Sequence, residues 1–113
     1  MTPEKQRIAI AEACGWRHVC PIGRLDGWAW GFPPGQIGGK SIAIPDYLND
    51  LNAMHEVEKL KVCYSEEIQE EYAENLLKVV YKQFGYSGAN QTIHASATQR
   101  AEAFLRTIGK WEE

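Results

Sequence analysis

The sequence predicts a compact α+β fold, with about four helices packed on a small, largely antiparallel sheet. Two observations carry this. Segments with a helical repeat and clear caps lie at both ends and in the second half of the chain. Between them, from Trp16 to Ile44, the helical period is lost and aromatics, glycines and prolines take over. A third observation sets the scale. The 113 residues, 44% hydrophobic and 24% charged, suit one domain spanning 1–113 with a single core that needs no disulfide or structural metal.

The first helix is expected to use Thr2 as N-cap and Pro3 as its first residue, to run through Ile8, Ala11 and Ala13, and to stop at Gly15 in a left-handed cap. In the β region, Trp28, Trp30 and Phe32 alternate with Ala29 and Gly31, so one strand face carries large rings and the other is small. Asp26-Gly27 reads as a hairpin turn, Val19 to Leu25 as the partner strand, and Pro33-Pro34-Gly35 as the end of the ring-bearing strand. A second helix is expected from about Pro45 and Asp46 to Lys59, followed by a short strand over Leu60 to Tyr64.

Ser65 opens a long third helix with the core stripe Ile68, Tyr72, Leu76, Val79 and Val80. Glu66, Glu67, Glu70, Glu71 and Glu74 fill its first half, Lys78 and Lys82 its second, the sense favoured by the helix dipole, and Gly85 ends it. After a polar loop over Tyr86 to Gln91, Thr92 to Ala95 reads as a last short strand. Ser96 and Gln99 then form a capping box for a fourth helix with the buried stripe Ala97, Ala101, Phe104, Leu105 and Ile108, stopped by Gly109.

Composition excludes several classes. A formal net charge of -3 with scattered lysines and arginines disfavours non-specific nucleic-acid binding, and no apolar run approaches membrane-spanning length. The start of the chain is not that of a secreted protein, so Cys14, Cys20 and Cys63 are expected as free thiols in a cytosol.

The candidate site lies between the second and fourth helices. At about 100° per residue, Tyr47, Leu51 and Met54 define the inward face of the second helix, and Asp50 and Glu58 flank it. Arg100 holds the equivalent place beside Ala101 and Phe104 on the fourth. Charges so near a core need partners, which makes an Arg100 pair with Asp50 or Glu58 a packing lock. That lock is the favoured reading; the alternative makes the same groups the floor of a ligand site, with Arg100 gripping an anion and Asn49, Asp50 or Asn52 reading hydroxyls or a base edge. Trp28, Trp30 and Phe32 admit two readings as well, a core stripe or a platform for stacked bases.

Other motifs fall short. His55-Glu56 lacks the second histidine of a zinc protease, and Asp50, His55 and Glu58 span too wide an arc to chelate. Cys14, His18 and Cys20, even with Cys63 or His94, match no zinc spacing. Gly38-Gly39-Lys40-Ser41 resembles the end of a phosphate loop, but Pro34 stands where its first glycine belongs; Lys40 remains able to touch an anion. No serine or cysteine sits in a nucleophile setting, so the chain reads as a non-enzyme without cofactor or metal.

The segments Pro45-Asp46-Tyr47-Leu48-Asn49-Asp50-Leu51-Asn52-Ala53-Met54-His55-Glu56 and Gln99-Arg100-Ala101-Glu102-Ala103-Phe104-Leu105 resemble the phage ABA-sandwich domain proteins, and more distantly the NinX-type phage proteins. The helix ending Ala9 to Trp16 is similar to theirs too, whereas Arg17 to Lys40 matches loosely. The resemblance implies a small phage- or prophage-encoded α/β sandwich acting in the bacterial cytoplasm, and it brings no catalytic residues with it. It leaves two expectations: a binder, such as a sponge for a nucleotide-type immune signal of the host, or a module that inhibits or redirects a host protein. A homo-oligomer is compatible with either.

Overall fold

In the computed structural model, which describes residues 1–21, 29–35, 39–62, 65–84 and 94–113, four α-helices combine with a three-stranded antiparallel sheet. The Asp26-Gly27 turn, Trp28, Cys63, the Gly85 stop and Thr92 and Ile93 lie outside the described residues; the rest of the strand expected over 92–95, His94 and Ala95, is a turn leading to the Ser96 cap and not a strand. Helix α1 spans Pro3–Ala13, with Thr2 accepting the Lys5 N–H as N-cap and Gly15 closing it at φ +96°. The sheet follows in the order β1 (Arg17–Pro21), β2 (Ala29–Phe32), β3 (Ile42–Ala43). Strand β1 pairs Cys20 with Trp30 and Arg17 with Phe32 across a bulge, and β3 pairs Ala43 with Trp30. No helix among the described residues is long and apolar enough to cross a membrane.

The second helix begins later than the sequence suggested. Asp46 is tied sideways, accepting from Arg7 Nε at 2.8 Å and Asn49 Nδ2 at 3.0 Å, so Pro45 to Asn49 forms a turn. Asp50 then caps α2 (Leu51–Val57) by accepting the N–H groups of Asn52 and Ala53. In place of the expected strand over Leu60 to Tyr64, the helix continues as a π-helical segment, Glu58–Val62. Leu51, expected to face inward, is 40% exposed, because the helix is phased by the buried Met54 and Val57. Tyr47 is buried, but from the turn rather than from a helix face.

Helix α3 (Glu66–Phe84) and helix α4 (Ala97–Thr107) pack along each other. Tyr72, Leu76, Val79 and Val80 of α3 meet Ala97, Ala101, Phe104 and Leu105 of α4 in the core, with Ile10, Met54 and Val57 from the other helices. The capping box is present: Ser96 Oγ accepts the Gln99 N–H, and Gln99 Oε1 accepts the Ser96 N–H. Gly109, at φ +75°, ends α4.

Candidate functional site

The charge set of the interior resolves into one cluster. Glu58, at the junction of α2 and the π-helical segment, receives Arg100 Nη1 at 2.9 Å and the Tyr72 hydroxyl at 2.7 Å, both on Oε2. Arg100 Nε donates to the Ala95 carbonyl at 3.0 Å. Three helical elements therefore meet on one carboxylate oxygen. Burial, then the bond and charge of Glu58, push the Tyr72 hydroxyl well above its ordinary value, so it stays a neutral donor. The second oxygen, Oε1, is buried without a hydrogen bond; the half-exposed His55 places Nδ1 3.1 Å from it without the alignment of one.

Asp50 is not part of this cluster, since its carboxylate is occupied as the α2 cap and lies at the surface. Asn49 is held by Asp46, and Asn52 is exposed on the first turn of α2. Tyr47 is buried beside Trp16 and Cys14; burial first, then Cys14, raise its hydroxyl, while a hydrogen bond from the Trp16 indole acts in the opposite sense. Arg100 and Tyr47 are thus interior packing residues, and the second and fourth helices close on each other around Glu58. The sequence missed Tyr72 as a member of the cluster, although a tyrosine on a core stripe needs a partner for its hydroxyl. It also missed the Arg7–Asp46 tie, whose partners are 39 positions apart with no local pattern linking them.

The rings of β2 overturn the core reading. The small side of the strand is the buried one: Ala29 is fully buried and Gly31 buried, while Trp30 is 42% exposed. Packing explains this. A Cβ on Gly31 would lie 3.0 Å from Val19 Cγ2 and 3.3 Å from the Arg17 carbonyl, so the bulge of β1 leaves no room inside for larger groups. Helix α1 contacts the sheet at β1 and β2, and on the opposite side Cys20, Trp30 and Ala43 are exposed among the described residues.

That outer face has its own order. Trp30 stands at its centre between Cys20 and Ala43, both exposed, and Phe32 projects from the same side two residues on. His18 sets its ring edge-on to Phe32, centroids 5.9 Å apart and planes at 87°. It does so from the left-handed region at φ 52°, a backbone conformation that costs an L residue about 1–2 kcal/mol. Arg17 lies opposite Phe32 in register, and the exposed Lys40 lies just before β3. Cys20 is exposed, whereas burial raises the Cys14 thiol.

A groove of about 340 Å³ also runs between α3 and α4, lined by Asn75, Lys78, Val79, Lys82, Glu102 and Arg106. Arg106 is engaged there by Glu102 at 2.9 Å and lies 5.0 Å over the Trp111 ring. No protein-family model, curated protein or solved structure matches the chain.

Proposed function

We propose that this is a non-catalytic binding protein that stacks a planar, nucleotide-type ligand on the outer face of its sheet. The observation that supports it most is Trp30, 42% exposed at the centre of an otherwise small-sided strand, with Phe32 and the strained His18 alongside. Aromatic faces bind bases whatever their sequence, each stacked base contributing about 1–3 kcal/mol. The exposed Lys40 suits a phosphate of such a ligand. The reading therefore moves the ligand away from Tyr47, Asp50 and Arg100, which pack the interior or cap a helix, to Trp30 and Lys40.

The setting in which this would matter, a phage-encoded accessory protein sequestering a host immune signal in the bacterial cytoplasm, rests on the resemblance of Pro45 to Glu56 and Gln99 to Leu105 to the phage ABA-sandwich proteins. Thermal-shift measurements against cyclic dinucleotides and ADP-ribose derivatives test it. Stabilisation by one of them is expected; a flat response to all would remove the reading.

A second reading has a separate observation behind it. Leu77 and Tyr81, 39% and 58% exposed, sit one turn apart on the solvent side of α3, next to its run of glutamates. Such a face suits a module that engages another protein.

A further inference from the structure

We infer that the outer face of α3 is the contact surface for a second copy of this chain, packed antiparallel on the same helix. This deepens the protein-interaction reading by naming the partner. It starts from what α3 leaves uncovered. Tyr72, Leu76, Val79 and Val80 use its inner face against the core, while Ala73, Leu77 and Tyr81 form an exposed row at successive turns along the side next to it. The row is short, lies on a helix of 19 residues and has no partner within the chain among the described residues.

The charges of the same helix select the orientation. Glu66, Glu67, Glu70, Glu71 and Glu74 occupy its N-terminal half, and Lys78 and Lys82 its C-terminal half. A parallel copy would set acid against acid. An antiparallel copy crossing at Leu77 sets leucine on leucine and Ala73 against the partner's Tyr81. The flanking charges then match. Glu74 lies three residues before the crossing and Lys78 one after, so with a rise of about 1.5 Å per residue Glu74 and the partner's Lys78 are offset by about 3 Å along the axis. Glu71 and the partner's Lys82, six before and five after, are closer still in height. All four face the same flank of the helix at about 100° per residue. Within one chain Glu74 and Lys78 already meet at 3.3 Å, both strongly exposed, so the second copy extends an existing pair into a four-membered alternation. One short apolar row with exposed ion pairs makes a small interface, hence a weak dimer that weakens further in salt.

Sedimentation of the full chain over a concentration series to about 1 mM is the test. A reversible monomer–dimer equilibrium is expected, shifted toward monomer by salt. Leu77→Glu, on the solvent face and so without effect on the circular dichroism spectrum, should raise the dimer dissociation constant at least about tenfold, the scale of one lost apolar contact turned into a repulsion. Lys78→Glu should weaken the dimer, and Glu74→Lys combined with Lys78→Glu should restore it. A chain that sediments as a monomer throughout, or a dimer indifferent to Leu77→Glu, overturns the proposal. If the chain is monomeric yet captures a host protein through a surface that Leu77→Glu destroys, self-association falls while the interaction reading survives.

Discussion

Arg100 reaches Glu58 across 42 positions of chain, Nη1 to Oε2 at 2.9 Å, with side chains only 11% and 15% exposed. The pair fixes the end of α2 against α4. Taking one member away strands the other in a nearly dry site, which costs about 3–5 kcal/mol in comparable buried pairs. Arg100→Ala and Glu58→Gln are each expected to lower the urea midpoint sharply. The joint replacement Glu58→Leu with Arg100→Met should recover part of that loss, because no charge is left unpartnered, although the Tyr72 hydroxyl loses its acceptor. Urea denaturation of the three variants checks the pattern, and a double variant no better than either single one would show that the pair does more than hold the helices together.

Tyr47 and Tyr72 make the fold sensitive to alkali. Both hydroxyls are raised above their ordinary value of 10.0, in each case by burial first. The unfolded chain therefore loses these protons at lower pH than the folded one. The stabilisation is fully present below about pH 10 and is lost as pH rises through the folded-state values. In a spectrophotometric titration, Tyr47 and Tyr72 should ionise only together with unfolding. Reversible ionisation of both with the circular dichroism unchanged would contradict the burial.

At acid pH the sensitive point is Asp46. Burial acts to raise its carboxyl, but the hydrogen bonds from Asn49 and Arg7 prevail and hold it below its ordinary 3.8. A depressed group contributes stability above its unfolded value, and that contribution is lost as pH falls through the folded one. Stability should thus decline below about pH 4, and Asp46→Asn should flatten this limb of the profile. Thermal melts between neutral pH and strong acid measure it.

Gly31→Ala tests why Trp30 faces outward. The added methyl would meet Val19 Cγ2 at 3.0 Å and the Arg17 carbonyl at 3.3 Å, an over-packing of a kind that costs about 1–3 kcal/mol. Val19→Ala in the same chain should relieve part of the cost. Additive losses in the double variant would mean that the sheet tolerates the methyl elsewhere.

Much of the fold was legible because its signals are local. Thr2-Pro3 and Gly15 bound α1, Ser96 and Gln99 make the box that opens α4, and the stripe of α3 is buried from Tyr72 to Val80, with Ile68 only half-buried. The second helix misled because Asp46 and Asp50 are equally good caps in sequence, and the choice between them is made by Arg7, far away in the chain. A π-helical segment has no periodicity that separates it from a short strand of Leu60 to Val62. For the charge cluster the sequence named Glu58 and Arg100 but left Asp50 as an equal candidate, again because the cap was placed one turn early. Alternation in β2 showed that rings and small residues face opposite ways. Which side is the inside depends on the bulge of β1 and the position of α1, neither of which alternation contains.

In the proposed function the labour is divided, with Glu58, Arg100 and Tyr72 holding the helices and Trp30 receiving the ligand. Calorimetric titration of the tightest-binding cyclic dinucleotide or ADP-ribose derivative into Trp30→Ala and into the Glu58→Leu, Arg100→Met double variant tests it most directly. Trp30→Ala is expected to fold normally and to lose about 1–3 kcal/mol of binding, while the double variant is expected to bind as the unaltered chain does. Binding retained without Trp30 and lost with the ion pair would contradict it.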